Sequence, residues 1–377
     1  MLCVFSIISL NIKMIWNGEV VNCSKRRNLM RKKMLKKIGV MVALILMVIT
    51  GCAQKEMNDK VEIAQDFVAI TDIEEDRYDI YVIVKSMTGS YWEELLEGTK
   101  QAGIDNKCNI YAAGSTLETE WELQEAYIEL AVEKGADAII LAPDNSEMLA
   151  PIVEKVHNLG IPVILVDTMI NCDSYDVCYM TDNLFAGENA AREMLRLLKE
   201  QGHSEYDMVN VAIELGGKSS QSINERLAGF YKYWTNYAPD TWHIIDEIKL
   251  NNGDEALAVE LSEEILEQYS YVDGVFGVDN ASTMGLASAL LKYNKHDVVM
   301  VGFDYSPEVL KIIDDNYNAS VILQRQYEMG YKGVESACLL LRSENVDLKF
   351  VDTGGVVLNK DTRYIEEILE IIQEEKR

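Results

Sequence analysis

Short apolar runs alternate with segments of helical period along most of this chain. Runs rich in Val, Ile and Leu occupy 79–85, 108–113, 138–142, 162–167 and 177–181, and again 208–215, 243–250, 274–278, 298–303 and 319–323. Between them apolar residues recur with the spacing of one helix face. The segment carrying Trp121, Leu123, Ile128 and Val132 is an example, and it closes at Gly135 as a helix should. The runs are continuous rather than alternating, the pattern of parallel strands covered on both faces. Strand–helix alternation throughout predicts an α/β fold with right-handed crossovers. It divides into two doubly wound parallel-sheet sets, with T-D-N (181–183) at the seam. Two such sheets facing each other leave a cleft of the kind in which small-molecule sites lie. The stretch 361–373 reads as a last amphipathic helix capping the second set.

The start of the chain has a different character. Lys32, Lys33, Lys36 and Lys37 precede the apolar run I-G-V-M-V-A-L-I-L-M-V-I (38–49) and then T-G-C. A charged segment, an apolar stretch too short to span a bilayer comfortably and small residues after it predict an export signal. The ending I-T-G-C resembles a bacterial lipobox, which makes Cys52 the expected lipidated first residue of the mature protein. An uncleaved membrane anchor is the alternative. Residues 1–33 precede a signal of normal length, so Met34 or Met30 is the expected start. Residues 52–77 are then the lipidated cysteine and a Glu- and Asp-rich linker.

Charge narrows the partners. The first 51 residues hold nine basic residues and one acidic one, so the remainder carries −35 against −27 for the whole chain. A body this acidic repels nucleic acid and anionic headgroups, and no nucleic-acid role is expected. Seven cysteines are present. Cys3 and Cys23 fall in the discarded segment, which leaves Cys108, Cys172, Cys178 and Cys338 besides Cys52, with no CxxC and no metal spacing. Cys172 and Cys178 are close enough in sequence to pair, although small apolar core residues are the simpler reading. No metal or cofactor is expected. Nor is catalysis: none of His157, His203, His243 and His296 stands at a strand end beside an acid or thiol, and GxSxG, HExxH and dinucleotide fingerprints are missing. Gly217-Lys218-Ser219 is no phosphate loop, because Ala212 stands where its first glycine is needed.

One stretch asks for a ligand. In K-S-M-T-G-S-Y-W (85–92) a loop follows the first strand and two aromatics, Tyr91 and Trp92, open a helix. They form either a packing pair or one wall of a site beyond a strand end. In order along the chain come K-G-A-D-A-I-I-L-A-P (134–143), G-I-P-V-I-L-V-D (160–167), M-T-D-N (180–183), E-R-L-A-G-F (225–230), D-G-V-F-G-V-D-N (273–280) and V-G-F-D (301–304). Together these motifs resemble the type I periplasmic sugar-binding proteins, of the ribose- and galactose-binding kind, over about residues 78–360.

That resemblance implies two lobes, 78–181 plus 325–352 and 182–324 plus 353–377, joined by crossings near 181–182, 324–325 and 352–353. It implies stacking by Tyr91 and Trp92 and hydroxyl recognition by Asp167, Arg226, Asp279, Asp304 and Gln324, with Lys85 matching a lysine of arabinose-binding relatives. Carboxylates and a guanidinium suit a rim of sugar hydroxyls because charged partners make the stronger hydrogen bonds. Simpler roles stand beside these: strand-end aspartates as caps, and Arg226 as an interdomain ion pair. The chain departs from ribose binders at Thr168, where they have arginine, and at Ala142 and Asp279, where they have asparagine. The expected pocket is thus more acidic than a ribose site, and a hexose, amino sugar or polyol fits it as a class. The implied partners are an ABC permease or, alternatively, a sensor histidine kinase, with the protein a monomer tethered to the membrane by its N-terminal lipid.

Overall fold

The computed structural model describes residues 61–373, apart from residues 62 and 116. The basic segment, the apolar run at 38–49 and Cys52 lie outside the described residues.

The apolar runs are strands. The first half runs β1 (Val68–Ala69), β2 (Asp79–Val84), α1 (Ser90–Asn106), β3 (Asn109–Gly114), α2 (Trp121–Glu133), β4 (Ala138–Leu141), α3 (Ala150–Asn158), β5 (Val163–Val166) and β6 (Val177–Met180). There follow α4 (Asn183–Glu200), β7 (Val209–Leu215), α5 (Gln221–Tyr237), β8 (Trp242–Leu250), α6 (Glu255–Gln268), β9 (Gly274–Gly277), α7 (Asn280–Tyr293), β10 (Val299–Phe303), α8 (Pro307–Asp314) and β11 (Ala319–Leu323). The chain ends with α9 (Gln326–Leu341), β12 (Phe350–Asp352), β13 (Val356–Asn359) and α10 (Glu366–Gln373).

Two sheets result, a seven-stranded one ordered β1-β3-β2-β4-β5-β6-β12 and a six-stranded one ordered β13-β11-β10-β9-β7-β8. Pairing is parallel except at the β1–β3 and β11–β13 edges, which are antiparallel. Both faces are covered, as the continuous apolar runs predict. On β2, Ile80, Val82 and Val84 pack with Leu95 of α1 and Met329 and Val334 of α9, while Tyr81 and Ile83 pack with Ile128 of α2 and Val153 of α3. The second sheet repeats this arrangement, with Phe230 and Met194 on one face and Leu286 and Ile312 on the other.

Four elements differ from expectation. The stretch expected to be wholly linker contains β1, because Val68 and Ala69 pair with Ala112 and Tyr111 of β3. Short, half-exposed β12 and β13 give little periodicity to read. The last helix begins at Glu366 rather than 361, since Asn359 and Thr362 exchange side-chain hydrogen bonds that hold a turn there. Its Ile368, Ile371 and Ile372 join the core of the second sheet, as a capping helix does.

In each sheet the strand order reverses beside its first long strand, β2 or β7. Ligands of open α/β sheets sit outside the carboxyl ends of strands at such reversals. Helix pairs brace both sheets at backbone contact. A Cβ on Gly187 of α4 would lie 2.0 Å from the carbonyl oxygen of Arg226 in α5, and one on Gly229 of α5 would lie 2.0 Å from that of Leu184. The first sheet repeats the contact, with Gly330 of α9 against the carbonyl of Leu95 in α1. Gly187→Val forces α4 and α5 apart; the expected cost is about 3 kcal/mol, the upper range for overpacking. Urea denaturation measures it, and an unchanged midpoint would show that the helices part freely.

Candidate functional site

The carboxyl ends of strands from both sheets converge on a cavity of about 390 Å³, inside the range of about 300–1,000 Å³ for small-molecule sites. All eight residues singled out as ligand-binding line it. Lys85 follows β2, and Tyr91 and Trp92 open α1. Asp167 follows β5, Arg226 is on α5, and Asp279, Asp304 and Gln324 follow β9, β10 and β11. Beside the cavity the halves meet directly. Ser146 N–H donates to the Ser219 carbonyl at 3.3 Å, and Ser219 Oγ donates to the Asp144 carbonyl at 3.1 Å.

Asp167 and Asp304 occupy matching places in the two sheets. Each turns out of its strand with a left-handed backbone, φ 64° and 62°. Each still donates its N–H to the neighbouring strand, Asp167 to Tyr179 O and Asp304 to Ile322 O, both at 2.9 Å. Left-handed geometry costs an L-residue about 1–2 kcal/mol, and aspartate tolerates it better than most. Backbone strain of this kind concentrates at functional sites.

The charges are tightly arranged. Lys85 Nζ lies 2.7 Å from Asp167 Oδ2, 2.8 Å from Thr168 Oγ1 and 3.3 Å from Ser220 Oγ, so the ammonium's three donors are all engaged. Tyr91 OH donates to Asp167 Oδ1 at 2.6 Å. Burial raises the Asp167 pKa, but Lys85 and Arg226 outweigh it and hold the carboxyl below its ordinary value. Arg226 is held by neutral acceptors: Nε donates to Asn183 Oδ1 at 2.8 Å, Nη1 to Val278 O at 3.1 Å and Nη2 to Gln324 Oε1 at 2.8 Å. Its guanidinium carbon sits 4.1 Å from the centre of the Phe303 ring. Three of its five N–H groups are thus engaged. Gln324 turns its amide nitrogen to both oxygens of Asp304, at 3.2 and 3.1 Å. Burial pushes Asp304 up to about 7, with Arg226 and Gln324 offsetting it only in part.

Tyr91 and Trp92 form the packing pair that the sequence offers, and they stand at a cavity as well. They are buried in the core of the first sheet, edge to face with ring centres 4.9 Å apart. Asp279 takes the capping role: Oδ1 accepts from Ser282 N at 3.0 Å and Oγ at 2.9 Å, and Oδ2 accepts from Gly216 N. The alternative role of Arg226, an interdomain ion pair, is not taken: its direct partners are two amides and a carbonyl. Thr168, in place of an arginine, meets the Lys85 ammonium; Ala142 lies in the core, its carbonyl accepting from Gln124.

Sequence reasoning missed Glu118. It lines the cavity and accepts from Trp92 Nε1 at 2.7 Å, and burial pushes it up to about 7. It lies in the loop after β3, away from the strand end, and its position does not point to Trp92. Also missed was a hydroxyl cluster, with Thr168 Oγ1 2.9 Å from Ser222 Oγ and Ser222 2.7 Å from Ser220. Among the described residues no group of His, Cys, Asp and Glu could hold a metal.

The periplasmic binding protein domain matches residues 80–345. The chain belongs to that family. It is a family of solute-binding, non-enzymatic proteins. The ribose import binding protein of Escherichia coli (strain K12) is 24% identical over 280 residues, covering 74% of this chain and 90% of that protein. Among solved members of the periplasmic binding protein family, an ABC transporter solute-binding protein from Agrobacterium vitis with bound D-fucose is 28% identical. It has a TM-score of 0.70 and covers 77% of this chain and 98% of its own. A carbohydrate transporter solute-binding protein from Agrobacterium radiobacter, in complex with D-arabinose, shares the fold at 23% identity and TM-score 0.75, over 79% of this chain and 100% of its own.

The raised carboxyls set a pH dependence. Glu118 and Asp304 keep their protons to about pH 7 in the folded protein and Glu214, buried beside Ser262 and Asn251, to about 8. In the unfolded chain these groups titrate near 4. The folded state therefore binds more protons between those values, so stability is full below about pH 4 for these groups and falls as pH rises through about 7 to 8. The melting temperature is expected to be higher at about pH 5.5 than at about pH 8, and Glu118→Gln narrows the difference. A profile rising with pH over that window would contradict the assignment.

Proposed function

We propose that this protein is an extracytoplasmic lipoprotein that captures a monosaccharide or related hydroxylated ligand and delivers it to an ABC importer. The observation that carries the reading is the meeting of Asp167 and Asp304, from matching strand ends of the two sheets, in one cavity with Arg226. Two carboxyl groups with acceptor oxygens, the two remaining guanidinium donors and the aromatic pair suit a ring with hydroxyls on its rim and C–H groups on its faces. The names of the relatives support the same ligand class.

Capture works by closure of two lobes, 78–181 plus 325–352 and 182–324 plus 353–377. The chain passes between the sheets after Met180, after Leu323 and after Asp352. The first and third passages are tied together: Asp352 Oδ1 accepts from Asp182 N at 2.9 Å and Gly354 N at 2.8 Å, and Thr181 Oγ1 donates to Gly354 O at 3.2 Å. A ligand favours the closed arrangement only through contacts made with both sides. Asp167 and Asp304 supply one from each.

Tryptophan fluorescence and thermal shift of the chain from Ala53 onward, against sugars, amino sugars and polyols, test the reading. A ligand is expected whose affinity falls about 10- to 100-fold in Asp167→Ala or Asp304→Ala, the worth of a hydrogen bond to a charged group. Silence across the panel would overturn the sugar reading. For the anchor, Cys52→Ser is expected to move the protein from the membrane to the soluble fraction; retention at the membrane would refute lipid attachment at that residue.

A further inference from the structure

All four described cysteines are thiols in this structure, and two of them touch. Cys108 Sγ and Cys338 Sγ lie 2.7 Å apart, although 230 residues separate them in the chain. Two sulfurs that are not bonded do not pack so closely. Both residues are fully buried, in the apolar layer that α1 and α9 share with the first sheet. Local structure brings them there. Lys107 turns left-handed at the end of α1 (φ 57°), and the N–H of Cys108 closes the helix by donating to Gly103 O at 2.8 Å, which directs the chain into β3. Close approach of α9 to α1 at Gly330 then sets Cys338 against it. Cys178 is instead a buried core residue of β6, and Cys172 is half-buried in the preceding loop.

We propose that Cys108 and Cys338 are joined by a disulfide in the exported protein. Export is part of the function proposed above; the pairing rests on the contact between the two sulfurs. The oxidant is the disulfide of a thiol oxidoreductase. The Cys108 thiolate attacks one of its sulfurs, forming a mixed disulfide and releasing the other sulfur as a thiol. The Cys338 thiolate then attacks the Cys108 sulfur and displaces the second thiol. Two cysteine thiols have become one disulfide, and two electrons and two protons have passed to the oxidoreductase. The exchange takes place while the chain folds, because in the folded protein neither sulfur is exposed.

The bond has a specific mechanical sense. It ties α9, which follows the second passage between the sheets, to the start of β3. Both cysteines pack against the first sheet, so the bond leaves the proposed closure free while fastening the returning segment to the sheet it covers. A cross-link closing so long a loop removes many conformations from the unfolded chain and stabilises the fold accordingly.

Differential labelling of the full chain, exported by a bacterial host, tests this. The protein is unfolded in guanidinium with iodoacetamide, then reduced and labelled with N-ethylmaleimide, and each cysteine peptide is read by mass spectrometry. Cys108 and Cys338 are expected to carry the second label only, and Cys172 and Cys178 the first. First label on Cys108 and Cys338, or second label on Cys172 and Cys178 in their place, overturns the proposal. A second measurement does not depend on peptide recovery: reductant is expected to lower the melting temperature of the unaltered protein and not that of Cys338→Ala. Equal response in both would also overturn it. Ligand binding by the same preparation reports separately on the cavity, so a failure of the disulfide and a failure of the sugar reading are distinguishable.

Discussion

Charges taken out of water must be matched, and that constraint organises the centre of this protein. Lys85 and Arg226 are almost fully buried, as are Asp167 and Asp304. An unpaired ion there would cost several kcal/mol, and removing one partner of a buried pair typically costs about 3–5 kcal/mol. The protein meets the requirement unevenly. Lys85 and Asp167 form a direct pair with every polar atom engaged, so that carboxyl ionises readily. Arg226 is surrounded by amide and carbonyl oxygens, and Asp304 reaches it only through Gln324. Asp167 is therefore neutralised by a direct ion pair and Asp304 is not, while Asp167 Oδ1, bonded to Tyr91 alone, keeps room for a second donor. Unmatched hydrogen-bonding capacity in a cavity is capacity for a ligand.

Placing these groups together follows from sheet geometry. Parallel strands all end on the same side, so two such sheets facing each other put every strand-end loop in one place. The residue that ends a strand there must leave the ladder sharply, and aspartate is among the few side chains that do so in the left-handed region at small cost. Asp167 and Asp304 answer the same local problem in each sheet. Gly187 and Gly229 answer another: by letting α4 and α5 touch at the backbone, they bring Asn183 of one helix to the guanidinium of Arg226 on the other.

Legibility in the sequence followed the range of the interaction. The long strands could be read because burial on both faces leaves a continuous apolar run. β1, β12 and β13 could not, being edge strands of two to four residues, too short to show a pattern. Asp167 and Asp304 were visible because each directly ends such a run, and Arg226 because it sits in a motif. Glu118 was not, since a loop separates it from β3 and nothing in S-T-L-E marks the tryptophan it meets. Contacts made only by folding left no trace. Thr168 and Ser222 are 54 positions apart, and Cys108 and Cys338 are 230 apart. The capping of α7 by Asp279 was legible as a general role of aspartate. That both its oxygens are engaged in that role required the backbone of Gly216 to be in place.

Gln324 links the cavity to the chain passages. It stands directly after β11, where the chain leaves the second sheet for α9, and its amide faces two ways. The oxygen accepts from Arg226 and the nitrogen donates to Asp304. In the closure proposed above, a rotation of one sheet against the other would change the backbone at this position and with it the amide. That move would release a guanidinium donor and uncover a carboxyl whose pKa burial has raised to about 7. Opening would then expose the group that is least satisfied when closed, and water would solvate it. A ligand hydroxyl donating to Asp304 would supply that solvation inside the closed cavity. Its binding energy would then fall on the closed form alone, which is the condition for a ligand to shift such an equilibrium.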